Sequence, residues 1–137
     1  MLNLKPLAAF FESKLADGFL ELLLNTMRLA FLFDGRYRRN IEGFQGRYLF
    51  RSKTGAIAAG AIFSQGRMTV NREAIDNPNV AVTFRDEKAL MGFLLAPKPD
   101  ILGAVLRQDV VLEGNLNYLY KFAYMAKRLQ LMALGQA

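Results

Sequence analysis

The spacing of apolar residues in this chain switches from helical to strand-like after Phe33 and back again at Asp86, and that order confines the fold more than any other feature. From Lys5 to about Phe33, Lys14, Asp17, Glu21, Asn25 and Arg28 recur three or four residues apart, leaving Phe11, Leu15, Phe19, Leu22, Leu23 and Met27 on the other side. This is the helical period of about 3.6 residues, and it predicts an amphipathic helix over 5–33. Asp34 and Gly35 punctuate its end, with Gly35 suited to a left-handed cap. Arg36, Tyr37, Arg38 and Arg39 then read as a basic, exposed connection.

From Gly43 to Phe50 the period becomes two: Phe44, Tyr48 and Phe50 share one side, and Gln45, Arg47 and Arg51 the other, with Leu49 as an exception. A turn at Ser52, Lys53, Thr54 and Gly55 leads to a second strand over Ala56–Phe63, and Gln65 with Gly66 leads to a third over Arg67–Asn71. The three form an antiparallel meander. After Asn77, Pro78 and Asn79, a fourth strand is expected over Val80–Phe84.

Helical spacing returns with Ala89, Leu90, Phe93 and Leu94 on one face and an acidic cap at or beside Asp86. Pro97 and Pro99 separate this helix from a short one over Ile101–Arg107, whose start is suited to the charge of Asp100. Val110–Glu113 makes a fifth strand, Gly114 and Asn115 break it, and a closing helix runs from Leu116 to about Leu134. No internal repeat, low-complexity tract or long linker interrupts this order, so residues 1–137 read as one domain.

Composition narrows the chemistry. The 137 residues include no His, Cys or Trp, and Ser13, Ser52 and Ser64 are the only serines, which removes the commonest routes to acid–base, thiol and metal catalysis. The glycines form no phosphate loop, and neither Asp86 with Glu87 nor Asp109 with Glu113 makes a proton-sharing pair. No catalytic residue, metal site or cofactor is expected. The stretch Leu15–Phe33 is cut by Asp17, Glu21 and Arg28, so no transmembrane helix is expected. Leu7–Phe11 is too short for a secretory signal, which makes the cytoplasm the expected location. A net charge of +6 favours an anionic partner. The segment "RYRRN" at 36–40 has no recognisable nucleic-acid fold around it, so no nucleic acid is expected there, and plain exposure to solvent and contact with an anionic membrane both stay open.

Two segments, "NVAVTFRDEKALMGFLL" at 79–95 and "PDILGAVLRQDVVLEGNLNYLYKF" at 99–122, carry a family resemblance. Their strand, Asp-Glu helix start, short helix, strand, Gly-Asn turn and terminal helix resemble the sterol carrier protein 2 family, particularly its bacterial members. The likeness covers 43–128 and is clearest over 79–122. It implies an α+β fold, a five-stranded, mostly antiparallel sheet covered by helices in a sandwich-like arrangement, with an apolar tunnel between them for a lipid. The tunnel would be lined by Phe50, Ile62, Leu90, Phe93, Leu94, Ile101, Leu102, Val105, Leu112, Leu119, Phe122 and Met125. Arg36, Arg38, Arg39, Lys121 and Arg128 are the candidates for contact with a membrane.

The residues themselves agree at one point. Tyr118, Leu119, Phe122, Ala123, Met125, Ala126, Leu129 and Met132 leave the closing helix apolar almost all round. Such a helix needs cover on more than one side, from a ligand, a membrane, the N-terminal helix or a second copy of the chain in a homodimer. The small side chains from Ala56 to Ala61 leave volume that a ligand or a closely packed helix would fill, Met68, Met91, Met125 and Met132 read equally as an adaptable lining or as gap fillers, and Arg107, Gln108, Asn115 and Asn117 are candidates for a polar rim or for caps and solvated positions. Burial of about 15 methylenes at about 0.8 kcal/mol each yields roughly 12 kcal/mol. Association removes at least about 4, leaving micromolar or weaker binding, a range suited to a carrier. The expected function is therefore non-catalytic binding and transfer or presentation of a lipid: an acyl chain, an isoprenoid or quinone intermediate, or a sterol-like molecule. The alternative is an accessory subunit that uses the same fold without cargo.

Overall fold

The strand-period stretch folds as β1 (Gly46–Ser52), β2 (Ala58–Ser64), β3 (Arg67–Asn71) and β4 (Val80–Phe84). With β5 (Val110–Gly114) these make one sheet in the order β3-β2-β1-β4-β5. Every neighbouring pair is antiparallel except β1 with β4. The helices are α1 (Lys5–Phe33), α2 (Gly35–Arg38), α3 (Glu87–Leu94), α4 (Ile101–Leu106) and α5 (Leu116–Ala133), with a 3-10 turn at Arg39–Ile41. The computed structural model describes residues 5–94 and 101–135, with side chains from Gly18 onward. The expectations for Pro97, Pro99 and Asp100, and for the side chains of Phe11, Lys14, Leu15 and Asp17, lie outside the described residues.

Alternation assigns the strands to two faces. Tyr48 and Phe50, Ala59, Ala61 and Phe63, Val80, Val82 and Phe84, and Val110 point inward and join Phe19, Leu23, Leu24, Met27 and Phe31 of α1 in one buried cluster. Leu90, Phe93 and Leu94 of α3 and Leu119, Phe122 and Met125 of α5 complete it. The fold is α+β, as expected, with helices on the inner face. On the outer face, Arg51 donates to the Thr83 hydroxyl at 3.2 Å. Arg47 holds the return segment after β3, its guanidinium donating to the Asp76 carbonyl at 2.7 Å and its backbone N–H to Asn79 Oδ1 at 2.7 Å.

Four local expectations need correction. Gly18 has φ 119, a left-handed value, and kinks α1 into two helical segments. The buried Glu87 of α3 accepts the N–H of Leu20 at 3.4 Å, so a side chain from another element serves the start of the second segment. Gly35 is not a left-handed cap. Asp34 caps the next helix instead, accepting the N–H groups of Arg36 and Tyr37 at 2.9 and 3.1 Å. The basic connection is consequently helical, and Tyr37 within it is buried, stacked on Phe31 with ring centroids 4.3 Å apart. At the strand ends, β1 begins at Gly46 and β2 at Ala58, each later than its apolar pattern begins.

Candidate functional site

The sheet presents an aromatic inner face to α5. Phe122 lies 5.2 Å from Tyr48 and 4.9 Å from Phe50 between ring centroids, and Tyr48 meets Phe63 edge-on at 5.5 Å. Two buried phenols fasten the helix: Tyr48 donates to the Tyr118 carbonyl and Tyr37 to the Met125 carbonyl, both at 2.7 Å. Burial pushes both phenols far above the usual tyrosine range, and for Tyr37 the nearby Arg128 guanidinium partly offsets this. Both therefore stay neutral and keep donating at pH values where free tyrosine ionises.

This packing places most of the expected tunnel lining in the core. Phe50, Leu90, Phe93, Leu94, Leu119, Phe122 and Met125 are buried against one another. Aromatic rings occupy the space between sheet and α5 where the family resemblance implies a tunnel. Ile62 pairs with Arg47 on the outer face, because it is one residue out of step with Ala61 and Phe63. Met68 and Met125 are core residues, and Met91 and Met132 are partly buried against the core.

The remaining four, Ile101, Leu102, Val105 and Leu112, lie together. They line a groove of about 540 Å³ between α4, the edge strand β5 and the first turns of α5. Val110, Val111, Leu116 and Tyr120 add to its wall, and Gln108 is its one amide side chain among the described residues. Leu102 is 69% exposed and Leu106, just beyond the groove, 73%. Val111, Leu116 and Tyr120 are also exposed. The volume falls within the roughly 300–1,000 Å³ of small-molecule sites. Of the polar rim candidates, only Gln108 lines the groove. Asn115 caps α5 by accepting the Asn117 N–H at 2.9 Å, and Arg107 pairs with Asp109 at 3.0 Å.

Two other clefts differ in character. One of about 420 Å³ lies above Ala56, Ala58 and Ala59, where the small-residue strand suggests spare volume, but Glu21, Asn25, Asn71, Arg72 and Glu87 make it polar. The other, about 530 Å³, is lined by Arg28, Arg38 and Arg67. Of the three, the β5 groove has the most apolar walls.

The acidic side chains serve structure. Asp86 accepts the Ala89 N–H at 2.7 Å, which, more than its contact with Arg85, holds its carboxyl below the usual range. Asp109 is shared by Arg85 and Arg107 at 2.9 and 3.0 Å. Among the described residues no acidic group is clustered so as to hold a metal ion, and no helix is long and apolar enough to cross a membrane.

Three of the candidates for membrane contact lie in and just after α2, and two on α5. Arg36 and Arg39 are exposed, and Arg38 donates to the Phe31 and Leu32 carbonyls that end α1. Arg128 sits beside Tyr37, and Lys121 lies 4.5 Å over the Phe44 ring. Sequence reasoning missed Val110, Val111, Leu116 and Tyr120 in the groove. Their only signal is apolar character flanking the Gly-Asn break, which an ordinary core would share.

By sequence, no protein-family model and no curated protein matches the chain. By structure it is similar to UbiJ-SCP2, a ubiquinone synthesis protein, with TM-score 0.60 and 16% identity over 96% of this chain and 98% of that one. It is similar also to the sterol carrier protein domain 2 of Helicoverpa armigera, with TM-score 0.57 and 12% identity over 82% and 87%. A third likeness is to the sec-alkylsulfatase Pisa1 from Pseudomonas sp., with TM-score 0.55 and 17% identity over 64% of this chain. The chain spans only 14% of that enzyme's length. The architecture is thus the sterol carrier protein 2 fold, the one implied by the segments at 79–95 and 99–122.

Proposed function

We propose that the protein binds the hydrocarbon part of a lipid in the groove between α4, β5 and α5, and carries or presents it without catalysing a reaction. One observation carries the reading: an apolar groove of lipid-compatible volume, with Leu102, Val111, Leu116 and Tyr120 left exposed along it. Such a contiguous apolar surface is uncommon on a soluble protein unless something covers it. The sterol carrier protein 2 fold supports a lipid as the occupant, and the likeness to a ubiquinone synthesis protein keeps an isoprenoid or quinone intermediate beside acyl and sterol-like cargo. With no His or Cys in the chain and Asp86 and Asp109 held in structural bonds, binding alone is the simpler activity. Cytoplasmic residence and delivery from a membrane surface complete the proposal.

The accessory-subunit reading has one observation in its favour: Tyr124 is 55% exposed on α5 outside the groove lining, as an aromatic anchor for a protein partner or a second copy would be. Displacement of a fluorescent fatty acid separates the two. The wild type is expected to bind with micromolar or weaker affinity, and Leu102→Asp and Leu116→Asp each to weaken binding at least tenfold. Both residues are exposed, so melting temperatures should barely move. Probe binding that ignores both substitutions contradicts the groove, and no probe binding by the wild type favours the accessory subunit.

A further inference from the structure

The sheet ends at β5, and two hydrogen bonds fix which of its backbone groups are already used. The Arg85 N–H donates to the Asp109 carbonyl at 2.9 Å, and the Asn115 N–H to the Asn79 carbonyl at 2.8 Å. In an antiparallel ladder alternate residues turn their N–H and C=O to the neighbouring strand, so Val111 and Glu113 join Asp109 and Asn115 in facing β4. Val110, Leu112 and Gly114 turn theirs to the open edge, and among the described residues no backbone partner meets them.

An edge strand is ordinarily kept from pairing by lysine, proline, a bulge or a covering element. β5 contains neither lysine nor proline, and its one charge is Glu113. The groove follows the strand, with Leu112 of its inner face and Val111 of its outer face both in the lining, so α4 and α5 flank the edge without closing it. β3, the sheet's other edge, carries exposed Arg67 and Thr69, and α1 packs against it. Exposed apolar surface at β5 also extends past the groove to Leu106. A hydrocarbon in the groove leaves Leu106 in water and gives the outward N–H and C=O groups no partner. A second β5 strand supplies both. Centred on Leu112, an antiparallel copy meets every outward group: Val110 exchanges both its bonds with Gly114 of the other copy, and Leu112 with Leu112. A register centred elsewhere strands one of the three.

We infer that the cargo-free protein pairs with a second copy of itself along β5, the two strands running antiparallel about a two-fold axis at Leu112 and the two sheets becoming continuous. Such an axis keeps the inner faces of both sheets on one side, where Leu102, Leu106, Leu116 and Tyr120 of one copy cover those of the other. On the outer face it sets Val111 opposite Glu113, twice over. Cargo and second copy cover the same Val111, Leu116 and Tyr120 and so exclude each other. Self-association is read without lipid, and the inference therefore stands or falls apart from the groove reading.

The delipidated full chain is to be followed by sedimentation equilibrium from micromolar to millimolar concentration. An association that closes at two copies is expected. Val111→Glu puts like charges opposite each other at both symmetric points and should weaken the dimer about tenfold, whereas Val111→Lys puts opposite charges there and should hold or tighten it. Val111 is exposed, so neither substitution should unfold the chain. Leu112→Pro removes an outward N–H and spares the ladder with β4; it should weaken the dimer at least about fivefold. Hydrogen exchange at the Leu112 amide should slow as the protein is concentrated. A monomer throughout, growth beyond two copies, or equal effects of the two Val111 substitutions overturns the inference. So does a dimer in which exchange at Leu112 ignores concentration, which would place the contact on another surface, such as that around Tyr124.

Discussion

Phe122→Ala is expected to lower the stability of the fold by about 3–5 kcal/mol, the usual cost of removing a buried aromatic side chain. Phe122 is fully buried and packs against Tyr48 and Phe50, so its ring joins α5 to the middle of the sheet. Its ring neighbours are poorly placed to refill the space. Tyr48 is tied through its hydroxyl to the Tyr118 carbonyl, and Phe50 is itself fully buried. Denaturant titration should show an earlier midpoint with little change in slope, and Phe122→Leu should lose less than about 1.5 kcal/mol if the side chains repack. A loss below about 1 kcal/mol for the alanine variant would show that α5 is not held by this aromatic contact.

The second large effect is expected at Gly114, where β5 turns into α5. Its φ is 103, and a Cβ there would collide with the backbone carbonyl oxygen of Asn79, which also accepts the Asn115 N–H at 2.8 Å. The obstructing atoms are backbone, so no side chain can swing aside. Gly114→Ala is expected to cost on the order of 3 kcal/mol or more, combining strained backbone with displacement of β4 from β5. Gly92→Ala is the contrasting control: it lies in α3, where an added methyl group would meet open space and φ is not left-handed, so a gain of roughly 0.5–1 kcal/mol is expected. Thermal melting of the pair checks both, and equal melting temperatures would refute the assigned turn.

Much of this fold is legible in the residue pattern. The bounds of β3 and β4 agree with the expected Arg67–Asn71 and Val80–Phe84, because β3 alternates after the Gln65-Gly66 turn and the apolar run of β4 is bracketed by Asn77-Pro78 and Arg85-Asp86. The terminal helix, which starts at Leu116 as expected, is equally plain. What escapes notice is what another element decides. Gly18 sits within an apolar helical pattern, and only the Glu87 carboxylate reaching across from α3 shows how the chain restarts beyond it. Gly35 looks like a stop, but Asp34 satisfies two amides and begins a new turn.

The candidate site is less legible for the same reason. Apolar character marks Phe93, Leu119 and Leu102 alike, yet the first two are buried in the core and the third lines the open groove. Period and composition identify which residues avoid water but not which are left without a protein partner. That is also why Phe93→Trp or Leu119→Trp is a poor probe of the groove: overpacking at either costs roughly 1–3 kcal/mol of stability before any ligand is considered. Exposed groove residues report on binding without that confusion.

The most direct measurement is photocrosslinking with a diazirine-bearing fatty acid, followed by peptide mass spectrometry to locate the adducts. Lipid binding in the β5 groove predicts labels on Leu102, Val105, Val111, Leu116 and Tyr120, competed away by unlabelled fatty acid. Labels confined to the outer sheet face around Ile62, or to the polar cleft above Ala58, or absent altogether, would contradict it.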